Sequence, residues 1–353
     1  MGYGRFGRSL ADLLAEAGHE VRAWDVGPVG GARGVGSLGA LATSSDVLMV
    51  AVPVGSMWAV MQSLRSHAGG DHIVVDVGSV KVLPSEWMGE AFGESVPWVA
   101  THPLFGPTSL ALGERPLRVV VCPNPLHEAA VGRVRAMYEG AGCEVVEQEA
   151  ASHDRAMAET HALAYFVAKG ILDAGVGLDA ANAPPSSRAI LRTVEAVRSD
   201  AGHLFASLHV DNPYAGEVRE RFLEALQSID RTLRDTPSGT ADSEMASLAI
   251  PDLGERSTEI REVRDLIDDI DRDIVSLLAR RLLLARRAGR AKAGLGLGVR
   301  DARREAELLA RRREWAEANG LDPAAVESLF EQVLRYSRRV QSEGDGSGEG
   351  RRD

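Results

Sequence analysis

Apolar and polar positions along the first 150 residues follow two alternating periods. The runs HEVRAWD, DVLMVAVP, HIVVDVGS, WVATHP, RVVVCP and CEVVEQE have the length and β-rich composition of buried strands. Between some of them, RSLADLLAEAG and HEAAVGRVRAMYEGAG place apolar residues three and four apart, the spacing of a helix with one buried face. The alternation predicts a doubly wound, Rossmann-like α/β domain over residues 1–150. Over 151–235 the strands stop, and helical patterns broken at NAPPSS and DNPY predict an all-α domain. Residues 236–257 are rich in small and polar residues with Pro and Gly, and read as a linker. Three more helical stretches fill 258–342. The tail 343–353 lacks apolar residues and is expected to be disordered.

The chain opens MGYGRFGRSL, so a G-x-G-x-x-G fingerprint of Gly2, Gly4 and Gly7 stands at the start of the first predicted helix. Glycines there let the backbone approach a pyrophosphate, which the free N–H groups of Arg5, Phe6 and Gly7 at the helix start can bind. HEVRAWD ends at Asp25, about 20 residues on, where an acid accepts hydrogen bonds from the adenosine ribose and repels a 2′-phosphate. NAD is therefore expected over NADP, with Arg22 and Arg33 nearby as moderating charges. The fingerprint normally follows a strand, and here only Met1 precedes it. The expectation is that the chain starts several residues late and in this form binds the dinucleotide poorly.

Charge divides the chain. Residues 1–255 carry net −13, whereas 256–341 hold 19 Lys and Arg against 15 Asp and Glu, net +4. The acidic part argues against nucleic acid, and the basic part requires an anionic partner. The longest apolar stretch, VLMVAVPVGSMWAVM, is broken by Pro53 and Gly55 and is too short to span a bilayer, so no membrane partner is expected. Cys122 and Cys143 form no metal-ligand or disulfide pattern and are expected to be small buried hydrophobes; with no signal sequence, the expected location is the cytoplasm. No metal site is expected.

Two segments close predicted strands, DVGSVK with Ser79 and THPLFGPTS with His102. Strand C-termini are where such sheets bind ligands, so both side chains are candidates for the cofactor crevice, with His102 as a general base. The succession GYGRFG, VAVPV, DVGSVK, THPLFGPT and SHDRAMAETHALAYF resembles the prephenate dehydrogenase family over nearly all of residues 2–235. The resemblance implies NAD-dependent oxidative decarboxylation of prephenate to 4-hydroxyphenylpyruvate. It makes His102 the group that takes the ring-hydroxyl proton and Ser79 a hydrogen-bonding partner of the same hydroxyl. His161 falls on the inward face of the next helix, which His153 and Asp154 open; Asp154 reads equally well as an N-terminal helix cap. The family's carboxylate-binding arginine has no counterpart in HLFASLHVDNPY, leaving Arg188 and Arg192 as candidates and arogenate as an alternative substrate.

In the C-terminal region Ile260, Val263, Ile267, Ile270, Ile274 and Leu277 recur at steps of three and four, a seam for a partner helix. The same register puts Arg281 on the seam, where a cation is costly unless an anion meets it or it snorkels outward. This spacing resembles the all-helical chorismate mutase family over residues 258–342. The resemblance assigns Arg264, Arg281 and Arg304 to substrate carboxylates, with Ser337 assisting. It gives Lys292 and Gln341 to the ether oxygen, and Asp301 and Glu305 to the ring hydroxyl and the orientation of the cations. It also implies an intertwined homodimer, with Arg264 reaching into the partner's site. The two resemblances together predict a bifunctional enzyme of tyrosine biosynthesis, a non-catalytic NAD-sensing nucleic-acid binder being the remote alternative.

Overall fold

A computed structural model describes residues 1–175, 190–191, 193–195, 197, 202–236, 259–294 and 301–343. They fall into two units, Met1–Pro107 with Pro116–Asp252, and Thr108–Arg115 with Leu253–Asp353.

In the first unit, β1 (Val47–Val50), β2 (Ile73–Asp76), β3 (Trp98–Pro103), β4 (Leu117–Val121) and β5 (Cys143–Glu147) form one sheet in sequence order. β1, β2 and β3 are parallel, β4 returns antiparallel to β3, and β5 is parallel to β4. The continuous apolar runs of the sequence are explained by helices on both faces. Val50, Val74, Ala100 and Val120 share a core with Met57, Met61 and Leu64 of α2 (Val54–Arg65) and Met88 and Phe92 of α3 (Val82–Phe92). Thr101, next to Ala100, points to the other face, where its hydroxyl lies 3.2 Å from that of Tyr138 on α4 (Glu128–Gly140). Both cysteines are free and buried, and burial pushes the Cys122 thiol up to about 12.

HEVRAWD corrects the sequence expectation. It forms no strand, only a single bridge between Ala23 and Gly34. The reason lies beside it, where Met1 alone supplies sheet backbone: its amine donates to the Met49 carbonyl at 2.9 Å, its carbonyl accepts from Ala51, and Gly2 donates to Trp24. One residue cannot template a ladder on its outer side, so HEVRAWD stays irregular.

The helical part of this unit begins with α5 (Ala150–Met157), which passes through a π-helical turn at Ala158–Ala162 into α6 (Leu163–Ala174). A second π-helical turn, Ser207–Asp211, precedes α7 (Ala215–Asp235). Ala158, Ala162, Tyr165, Leu208, Ala215 and Val218 form their shared core.

The second unit contains α8 (Glu259–Gly294), α9 (Ala302–Ala318) and α10 (Pro323–Glu343), with α10 packed on both of the others. Asp301 caps α9 by accepting from the Arg304 amide at 2.9 Å. Among the described residues no helix is long and apolar enough to cross a membrane.

Candidate active sites

The glycine turn has the shape its sequence suggests. Gly2 adopts φ 83°, and a Cβ there would sit 2.4 Å from the Ala51 carbonyl oxygen. A Cβ on Gly7 would sit 2.1 Å from the Gly2 carbonyl oxygen, so Gly7 lets α1 (Arg5–Glu16) close onto the turn. Gly4 is different: a Cβ there meets nothing, and this residue is the N-cap of α1 with no side chain taking the cap hydrogen bond. The first turn, Arg5, Phe6 and Gly7, contains no acidic residue. Asp25 is brought to the same turn, accepting from the Tyr3 amide at 2.6 Å. Arg33 is held by Asp12 and the Tyr3 hydroxyl, which raise its pKa, and Arg22 by Glu20. A close-packed turn, an open helix start and an acid at the ribose position fit a dinucleotide.

His102 lies near the end of β3, buried. Register pairs Asp76 with Ala100, which brings the Gly78–Ser79 loop beyond β2 alongside His102. Ser79 is also buried. A polar network supports this corner. The Lys81 ammonium, fully buried, donates to Asp76 and to the Thr101 carbonyl, both at 2.5 Å, and Asp76 also accepts from the Gly78 and Thr101 amides. His102 Nδ1 is 2.8 Å from His153 Nε2, and His153 Nδ1 is 2.8 Å from Asp154 Oδ1. Burial first, then the His153, Lys81 and His161 charges, hold the His102 pKa well below the usual histidine range. The imidazole is neutral at pH 7, the state a base requires.

Asp154 is not the cap of its own helix. α5 starts at Ala150, and the Asp154 carboxylate instead accepts from the amides of Lys81 at 2.7 Å and Val82 at 2.9 Å, capping α3. His161 stands on the first π-helical turn, its ring edge-on to Tyr165 at 4.6 Å, and its charge bears on both His102 and His209. Burial and then Arg219 lower His209 to about 4. Arg219 donates to His209 Nδ1 and to its carbonyl, each at 3.2 Å. Sequence reasoning singled out neither His209 nor Arg219. His209 lies two residues before the DNPY segment and Arg219 five after it, and ten residues apart across that break they gave no signal until the second π-helical turn brought them together. Arg188 and Arg192 lie outside the described residues.

In the second unit Arg281 does not snorkel outward; it donates to the Ser337 hydroxyl at 2.5 Å, and burial lowers its pKa. One turn on, Gln341 donates to the Ala285 carbonyl at 2.7 Å. Glu305 pairs with Arg338 at 2.6 Å, and Arg304 lies 3.7 Å from Glu307. Lys292 is half-buried near the end of α8. Arg264 belongs to α8, but its side chain lies outside the described residues. Arg312 was missed by sequence reasoning: it stacks on Trp315 and Phe330, and burial, then the Arg281, Arg311 and Arg304 charges, lower its pKa. The result is a group of guanidinium ions on three helices, suited to a polyanion.

Residues 19–147 match the family described as prephenate dehydrogenase, nucleotide-binding domain, and residues 263–342 match chorismate mutase type II. A probable arogenate/prephenate dehydrogenase of Methanocaldococcus jannaschii is 24% identical over 205 residues, covering 55% of this chain and 45% of that protein. An isochorismate pyruvate lyase of Pseudomonas aeruginosa is 40% identical over 82 residues, 23% of this chain and 80% of the lyase. The chain thus spans less than half of the archaeal relative. Among solved structures, prephenate dehydrogenase from A. aeolicus in complex with hydroxyphenyl propionate and NAD+ superimposes with a TM-score of 0.55 at 18% identity, over 75% of this chain and 94% of the other. That likeness is one of fold.

Proposed function

Because the chain joins a nucleotide-binding domain of the prephenate dehydrogenase family to a chorismate mutase type II domain, we propose that it carries out two consecutive reactions. The C-terminal helices rearrange chorismate to prephenate, and the first unit oxidises and decarboxylates prephenate to 4-hydroxyphenylpyruvate with NAD+. The observation that carries this reading is His102, buried, neutral and backed by a polar network at a strand end.

Bound NAD+ would supply the acceptor for the hydride leaving the hydroxyl-bearing ring carbon, and the turn from Gly2 to Gly7 with Asp25 would hold it. His102 takes the hydroxyl proton, Ser79 fixes the hydroxyl, and the ring carboxylate departs as CO2. His102 then returns the proton to the ring oxygen as the ring becomes a phenol. Arg219 is the guanidinium we assign to a substrate carboxylate, since it stands beside the imidazoles that lead to His102. The mutase reaction is intramolecular and needs no acid or base, so binding must hold the compact conformer and stabilise charge on the ether oxygen. Arg281 and Arg304 take carboxylates, Lys292 and Gln341 face the ether oxygen, and Ser337, Asp301 and Glu305 orient the cations and the hydroxyl.

Four of the six residues of the predicted apolar seam support a dimer: Ile267, Ile270, Ile274 and Leu277 are 48–58% exposed in the single chain. A second copy covers them, with Arg264 completing the partner's site.

Assays of the purified chain test the reading. Chorismate alone should yield prephenate, and chorismate with NAD+ should yield NADH and 4-hydroxyphenylpyruvate. A higher kcat/KM on arogenate would change the substrate, and pyruvate release from isochorismate would give the C-terminal helices the activity named for the Pseudomonas relative. Turnover of none of these would overturn it.

A further inference from the structure

Hydrogen-bond polarity around Asp154 determines which nitrogen of His102 carries a proton. The Asp154 carboxylate accepts two backbone amides, from Lys81 at Oδ1 and from Val82 at Oδ2, so both of its oxygens act as acceptors. With both oxygens accepting, the His153 nitrogen that faces Oδ1, Nδ1 at 2.8 Å, bears the hydrogen. With that hydrogen on Nδ1, Nε2 is the accepting nitrogen of the His153 imidazole. The atom 2.8 Å from that Nε2 is His102 Nδ1, which must donate. His102 is left with its lone pair on Nε2.

We propose that His153 is a positioning residue of the dehydrogenase site, locking His102 in the tautomer whose Nε2 can receive the substrate proton. The inference rests on the reading of His102 as the base. When Nε2 is protonated, the imidazolium keeps its Nδ1–H bond to His153, and its charge faces Asp154 across that ring. The proton itself moves only between the substrate oxygen and Nε2. The groups bearing on His102 are His153 and Asp154 from α5, Lys81 and its partner Asp76 from the loop and strand end beside α3, and His161 from the π-helical turn. Lys81 and His161 disfavour a charged His102, so the link through the His153 imidazole to Asp154 is the one that supports it. Partners of this kind, one bond removed from a reacting imidazole, fix tautomer and orientation elsewhere.

The first test is the nitrogen spectrum of the 15N-histidine-labelled full chain, with His102 assigned by its loss in His102→Asn. Nδ1 protonated and Nε2 bare is the expected result; the opposite tautomer overturns the proposal. The second compares His153→Leu with His153→Gln, whose amide oxygen can still accept from His102 Nδ1. The Leu variant should lose about tenfold or more in kcat, with KM for prephenate changed less than about twofold and the acid limb of the pH profile moved to lower pH. The Gln variant should recover most of that loss. Full kcat in His153→Leu, or Gln no better than Leu, would refute the role. A Leu variant that does not fold leaves the wild-type spectrum to decide. A chain that oxidises neither prephenate nor arogenate sinks the dehydrogenase reading, whereas the tautomer is decided separately by the spectrum.

Discussion

At the scale of single residues, the chemistry concentrates on groups whose burial would be costly without their partners. His102→Asn should lower NADH formation by at least about a hundredfold, the usual scale for a general base, while mutase turnover is unchanged. Near-normal oxidation by this variant would remove His102 from the reaction. Burial and neighbouring cations depress its pKa, so the base stays unprotonated well below pH 6.5. The acid limb of the dehydrogenase pH profile should accordingly lie below the ordinary histidine range, and a limb at or above that range would contradict the assignment. His102 and Ser79 were legible in the sequence because one stands near the end of a strand and the other just beyond one, and strand ends are fixed by a short apolar run that is easy to read. The bonds of Asp154 were not, since its partners Lys81 and Val82 lie more than 70 residues away and only the folded chain brings them to α5.

At the scale of elements, the glycine turn separates fold from binding. Gly7→Ala would drive a methyl group into the Gly2 carbonyl and should cost about 1–3 kcal/mol of stability, the range for overpacking. Gly4→Ala meets open space and should change stability by less than about 0.5 kcal/mol, yet weaken NAD binding by obstructing the pyrophosphate. Thermal melts and NAD titrations of both variants check this; equal melting losses would mean the turn serves packing alone. The elements that sequence periodicity revealed are those with one wet face, such as α1 and α4. α2 and α3 escaped because Met57, Met61, Met88 and Phe92 pack beside further apolar residues and blur the period. HEVRAWD had a strand's composition without a neighbouring strand to pair with, and composition alone cannot supply a ladder.

At the scale of the whole molecule, the question is how many chains make one mutase site. α8 carries Arg264 and Arg281 17 residues apart, which at about 100° per residue leaves them roughly a quarter-turn apart around the helix. Arg281 turns to Ser337 within its own chain. A residue a quarter-turn off that face is poorly aimed at the same pocket, and the half-exposed isoleucines beside it call for a second α8. The proposed dimer meets both requirements if Arg264 enters the partner's site. Arg264→Ala and Lys292→Ala should then each be nearly inactive as mutases. Refolded together in equal amounts, they should form mixed dimers for about half of the total, and each mixed dimer should hold one intact site of two. About a quarter of wild-type turnover should return. Mass spectrometry of differently tagged chains shows whether mixed dimers form. If they do and no activity returns, Arg264 does not act in a shared site, and each mutase site is confined to one chain.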